Sequence, residues 1–174
     1  EYNLDADAFF KAGMAHTFRI DVETALAGTK LTLTLDGEKV IEGTDDSANK
    51  LANDGAITII SKCDDAAPME AKITAFRSTS VQAFDYELTS DIEGNFTLTD
   101  ATADENSITL PKTGITRVQT NEAVPNMTSL KLTMKLSKKA DATDWLAMMF
   151  FMDNAPGKTS WERSEASEKG YCLM

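Results

Sequence analysis

The chain is poor in histidine, cysteine, proline and long apolar runs, and each scarcity excludes something. There is one histidine, His16, in the stretch M14-A-H-T-F18. A Ser-His-Asp or Cys-His arrangement would have to be built on it, and no G-x-S-x-G accompanies it. A His-based zinc site cannot be assembled from one histidine and two distant cysteines. No G-x-x-x-x-G-K-[ST] and no G-x-G-x-x-G is present, so no phosphate-cradling loop is expected. The longest apolar run, W145-L-A-M-M-F-F-M152, has eight residues. A membrane-crossing helix needs about 18–20, and no membrane insertion is expected. Positive charge is also scarce: 17 Lys and Arg against 28 Asp and Glu give a net charge of −11. Such a chain repels phosphate backbones and anionic lipid surfaces at long range. The densest basic stretch, K135-L-S-K-K139, borders an expected strand, so no nucleic-acid partner is expected.

The N-terminal residues E1-Y-N-L-D-A-D-A8 carry neither a basic n-region nor an apolar h-region. Glu1 is not an initiator methionine. The expectation is a chain whose leader has been removed and which works outside the cell or on its surface. There Cys63 and Cys172 could form a disulfide closing a loop of about 110 residues, contributing about 3–5 kcal/mol in the chain-entropy model. The alternative is two buried free thiols. Cys172 is third from the end, which does not satisfy the prenylation box.

What the chain has is threonine, 21 of 174 residues. Threonine is β-branched and favours strands. Apolar residues alternate in T17-F-R-I-D-V22, in K30-L-T-L-T-L35, in F84-D-Y-E-L88, in N95-F-T-L-T99 and most cleanly in S129-L-K-L-T-M-K-L136. Further strands are expected at 56–61, 71–76, 107–110, 158–163 and 171–174. Asp36-Gly37 is a hairpin signal, because a type I′ turn needs φ > 0 at both positions. The register it implies sets Leu35 opposite Glu38, Leu33 opposite Val40 and Leu31 opposite Glu42. Helical signals are thin: one or two turns at 5–12, with Asp5 as cap and Gly13 as stop, and another short turn at 47–53.

The expected fold is therefore all-β. It is an antiparallel β-sandwich, Ig-like or jelly-roll-like, of about ten to twelve strands with little helix. The run from Trp145 to Met152 is apolar on both faces, as in a strand covered from both sides. Its neighbouring Met148 and Met149 point to opposite faces, which opposes a soft-metal site. Residues 57–68 faintly resemble 146–156, and 29–35 resemble 129–136. One sandwich over 1–174 is the expected organisation. The alternative is two small sandwiches, 1–90 and 105–174, joined by an acidic linker.

Carboxylates are abundant, but nothing singles out a pair with glycosidase geometry. Acids at strand ends, notably Asp45, Asp46, Asp153 and Asn154, could hold a structural Ca²⁺, although none fits an EF-hand. Otherwise no cofactor is expected. Two sequons occur, N95-F-T97 and N126-M-T128. The best-motivated binding feature is aromatic. Trp145, Trp161 and Tyr171 fall late in the chain, and Trp161 is followed by Glu162 and Arg163. Sugars stack on flat rings flanked by such polar groups, so Trp161, Tyr171, Glu162 and Arg163 form the candidate ligand site; a core tryptophan is the alternative. The function expected is a non-catalytic extracellular binding or adhesion module for a glycan or a protein surface. One alternative is a structural subunit of a fibre, shell or coat, self-associating as a homo-oligomer. The other is a glycan-active enzyme with paired carboxylates.

Overall fold

The computed structural model describes residues 11, 13–26, 28–46, 55–63, 69–80, 86–88, 91–111, 114–124, 126–137, 145–152 and 171–173. Among these residues thirteen strands and one helical turn run in the order β1 (Ala15–Ala25), β2 (Gly28–Leu35), β3 (Glu38–Asp45), β4 (Ala56–Cys63), β5 (Ala71–Ser80), β6 (Tyr86–Glu87), α1 (Ile92–Asn95), β7 (Phe96–Thr99), β8 (Thr102–Asp104), β9 (Ser107–Leu110), β10 (Gly114–Thr120), β11 (Met127–Leu136), β12 (Trp145–Met152) and β13 (Tyr171–Leu173). They form an eight-stranded sheet, β3-β2-β1-β11-β5-β9-β8 with β6 beside β5, and a five-stranded sheet, β13-β12-β4-β10-β7. Every pairing is antiparallel. No helix of the described residues is long and apolar enough to cross a membrane.

Strand β11 shows why these residues form this sheet. Its side chains alternate, so Leu130, Leu132, Met134 and Leu136 are buried while Lys131 and Lys135 are exposed. It lies between β1 and β5, with Leu132 opposite Phe18 on one side and Phe76 on the other. The inner faces of both sheets feed a single apolar core. Ile20, Leu33, Ile73 and Leu132 enter it from the larger sheet, and Ile57, Ile59, Val118 and Met148 from the smaller. Phe76 on β5 meets Phe96 on β7 edge to face, with ring centroids 5.0 Å apart. That contact joins the two layers and adds about 0.5–1.5 kcal/mol beyond its buried area.

Strands from either side of residues 90–105 pair with one another in both sheets: β1 with β11, β4 with β10 and β4 with β12. Just after residue 90, where the linker of a two-domain chain would begin, lies α1. Asp91 caps this turn by accepting the Gly94 N–H at 3.2 Å. A Cβ at residue 94 would push the Asp91 carboxylate off this capping bond.

The β2–β3 turn is built as its Asp-Gly pair requires, with φ of 51° at Asp36 and 90° at Gly37. The register beyond it differs from the expected one. Leu35 faces Glu38 and Thr34 faces Lys39, but a bulge then sets Leu33 opposite Ile41 and Leu31 opposite Gly43. The extra residue, Val40, brings Ile41 opposite Leu33 in its own place and Gly43 opposite Leu31 in place of Glu42.

Two strands escape the sequence pattern altogether, β8 and β10. β6 is two residues long within an expected five-residue strand. On β12 the adjacent Ala147 and Met148 are both buried, so both faces of that strand are covered at this point. The faintly similar segments occupy matching places: β4 and β12 are neighbours, and β2 and β11 flank β1. Strands that bury the same face need the same alternation, which is reason enough for their likeness. The expected helices at 5–12 and 47–53 and the expected strand at 158–163 lie outside the described residues, apart from Lys11, which is irregular.

Candidate functional site

The outer face of the larger sheet follows directly from β11 lying between β1 and β5. Lys131 is directly opposite Arg19 on one side and Arg77 on the other, and Lys135 is opposite Lys72. Arg19, Arg77, Lys131 and Lys135 are exposed and Lys72 is half-buried. Between the two cationic rows, Thr17 and Thr133 share a hydroxyl–hydroxyl hydrogen bond of 2.9 Å. Some of these cations have partners. Arg19 donates to Asp21 through Nε at 2.9 Å and Nη2 at 2.7 Å. That hydrogen bond and the charge behind it raise the guanidinium above its ordinary pKa. Lys72 lies 4.0 Å from Asp104. Nearer the edge, Glu42 receives Lys39 and Lys30, both at 3.3 Å, and these bonds lower its pKa. Lys131 and Lys135 have no ion pair among the described residues.

One end of the same sheet carries a polar brace. His16 is 5% exposed, and its Nδ1 lies 2.7 Å from Asp36 Oδ2. With Nδ1 donating to the carboxylate, the Nε2 lone pair accepts the Lys11 N–H at 3.1 Å. The other Asp36 oxygen accepts the Thr17 N–H at 2.8 Å, and the Asp36 N–H donates to the Thr17 carbonyl at 2.8 Å. The residue that makes the type I′ turn thus also ties it to β1.

Desolvation raises the Asp36 pKa, but the bonds from Thr17 and His16 and the electrostatic pull of the imidazole outweigh it, and the net shift is downward. A carboxylate with a depressed folded pKa contributes stability above its unfolded value, near 3.9, and loses it as pH falls through the folded value. Asp36→Asn keeps a residue that tolerates φ > 0 and removes the charge. The stability gap between wild type and D36N in urea titrations is expected to be constant near neutrality and to shrink below about pH 4. Parallel pH profiles down to the acid limit would refute the role of this carboxylate.

The smaller sheet hides a second polar group. Arg117 and Gln119 on β10 are 3% and 1% exposed, and Thr58 across from Gln119 is 1% exposed. Gln119 Oε1 accepts from Arg117 Nη2 and, at 3.3 Å, from Thr58 Oγ1. Gln119 Nε2 and Thr116 Oγ1 are buried with no hydrogen-bond partner among the described residues. No sequence motif marks this cluster; a charge and an amide alternating along a Thr-flanked segment read as solvent-facing.

Of the residues expected to bind ligand, Trp161, Glu162 and Arg163 lie outside the described residues. Tyr171 opens β13, where its backbone pairs with Phe150. Asp45 is the last residue of β3 and Asp46 follows it, exposed, whereas Asp153 and Asn154 lie outside the described residues. Among the described residues no three His, Cys, Asp or Glu side chains gather as a metal site. Cys63 is a free, buried thiol donating to the Met69 carbonyl at 2.9 Å. Cys172 pairs with Met149, which in turn pairs with Thr58, five residues along β4 from Cys63. At about 3.4 Å per residue that offset far exceeds the 4.4–6.8 Å between Cα atoms that a disulfide spans, so the structure does not bring the two cysteines together. Of the sequon asparagines, Asn95 is half-buried and donates to the Asp91 carbonyl at 2.9 Å, whereas Asn126 is exposed in a turn with φ of 52°.

No protein-family model matches the chain, and no curated protein matches it.

Proposed function

We propose that the chain is a non-catalytic binding or adhesion module acting outside the cell. In this reading it is a single sandwich domain of the Ig-like or jelly-roll-like kind, and its ligand is a glycan or a protein surface. One observation carries it: the outer face of the eight-stranded sheet is broad, polar and held rigid by the core beneath it. Small molecules favour concave, mostly apolar pockets. An open face of threonines and cations suits an extended partner. The interleaving of early and late strands supports the single domain.

A glycan array probed with wild type and Trp161→Ala tests the reading. Binding to a defined glycan class is expected. Loss of that binding in W161A would place the ligand on the late aromatics, and retention would place it on the sheet. A protein that binds neither glycans nor a protein surface would refute the reading. A structural-subunit role draws on a different observation: among the described residues, β13 covers β12 only from Met148 to Phe150. Strand edges invite pairing with another chain. Light scattering showing a strict monomer at high concentration excludes that role.

A further inference from the structure

We infer that the outer face of the larger sheet docks a linear, carboxylate-bearing polysaccharide along its cationic rows. This rests on the binding-module reading and deepens it by assigning a ligand class and a place. The argument begins with a local rule that the sequence breaks. Like charges directly opposite across strands are destabilising. Here Arg19 faces Lys131, Lys131 faces Arg77 and Lys135 faces Lys72. The chain has 28 acidic residues available. It uses them nearby, placing Asp21 on Arg19 and Glu42 between Lys30 and Lys39. Lys131 and Lys135, in the centre of the sheet, receive none among the described residues. Sites that break a local rule without a structural gain are where function is expected.

The geometry of the rows names the partner. Across the strands the cations repeat at about 4.8 Å, and Lys131 and Lys135 stand about 13–14 Å apart along β11. Anions strung along a thin chain can meet such a grid in register. The hydroxyls of Thr17 and Thr133 lie between the rows, where sugar hydroxyls would find them. A single polysaccharide strand touches only this face. A nucleic-acid duplex would bring a wide array of phosphates against a chain of net charge −11, which opposes it. The other charge-complementary occupant, the acidic surface of a second copy, is decided by experiment.

The probe is polygalacturonate, with the fully methyl-esterified polymer as an uncharged chain of the same backbone. Immobilised polygalacturonate is expected to bind the wild-type protein, and the ester to bind at least about tenfold more weakly. Binding should weaken as salt shortens the Debye length from about 10 Å at 0.1 M to 3 Å at 1 M. Lys131→Glu/Lys135→Glu should bind at least about tenfold more weakly than wild type. Lys62→Glu, the same charge reversal made once on the exposed Lys62 of the smaller sheet, should bind within about twofold of wild type, well short of half the loss expected of the double variant. The double variant should unfold at no lower temperature than wild type, because each new carboxylate faces basic neighbours, so lost binding cannot be blamed on lost folding. Equal binding by the double variant, or equal loss in K62E, overturns the inference. Binding confined to neutral glycans also overturns it but leaves the binding-module reading standing; no binding to any glycan or protein removes both. Wild-type self-association abolished in the double variant overturns it in favour of a homotypic interface.

Discussion

Leu132→Ala is expected to lower the unfolding free energy by about 3–5 kcal/mol. Leu132 is 0% exposed at the middle of β11, between Phe18 and Phe76. Its neighbours belong to three strands of the larger sheet, and the core beneath them is shared with the smaller one. A site hemmed in by hydrogen-bonded strands collapses poorly when a side chain is deleted. The cavity term therefore adds to the lost transfer free energy rather than relaxing away. For a chain of this length the change corresponds to about 6–20 °C in Tm. The adjacent outward residue supplies the contrast: Lys131→Ala removes two like-charge oppositions and should change stability by no more than about 1 kcal/mol, towards greater stability. Denaturant titration of the two variants decides it. A loss below about 1 kcal/mol for L132A would mean that β11 is not the covered centre of the sheet.

The contrast between those neighbouring residues also shows how much of the fold is legible in the sequence. β11 can be read because one face of its sheet is buried and the other meets solvent, which imposes a strict period of two. β4 can be read because both of its faces are covered, as both faces of β12 are at Ala147 and Met148, which imposes apolarity on successive residues. The Asp36-Gly37 turn can be read because only certain residues accept its dihedrals. β10 cannot be read. It is just as central, but G114-I-T-R-V-Q-T120 places Arg117 and Gln119 where periodicity predicts solvent, and both are buried. The bulge at Val40 escapes as well, because the turn dictates only the first two pairs and packing of Ile41 against its neighbours dictates the rest.

The cationic rows are invisible for a different reason. Arg19, Arg77 and Lys131 are distant in sequence and meet only because β11 inserts between β1 and β5. That insertion belongs to topology, which no local pattern encodes. Net charge misleads in the same direction: a value of −11 describes the sum and not its distribution over faces. The late aromatics stand out in the sequence because Trp and Tyr are conspicuous by type. Lysine on an exposed strand face is ordinary by type and notable only for what stands opposite it.

Gln119→Leu should cost about 2–4 kcal/mol, and for a reason opposite to that of L132A. Leucine nearly matches glutamine in size, so little cavity forms. What is lost is one oxygen, Gln119 Oε1, which accepts from both Arg117 Nη2 and Thr58 Oγ1 in a buried setting. Removing an acceptor from a buried charged donor exposes the desolvation cost of that donor, and the Thr58 hydroxyl loses its partner as well. Gln119→Glu keeps the acceptor, supplies an opposite charge to Arg117 and eliminates the amide Nε2, which is buried without a partner among the described residues. Its penalty should be smaller than that of Q119L, because attraction to the guanidinium offsets part of the cost of burying a carboxylate. Replacing both members, Arg117→Met with Gln119→Leu, should regain at least about 1 kcal/mol over Q119L alone, since exchanging a buried polar pair for apolar groups of similar shape is close to neutral. Strictly additive single and double variants would show that the two side chains are independent, and that β10 tolerates its buried charge by some route other than Gln119.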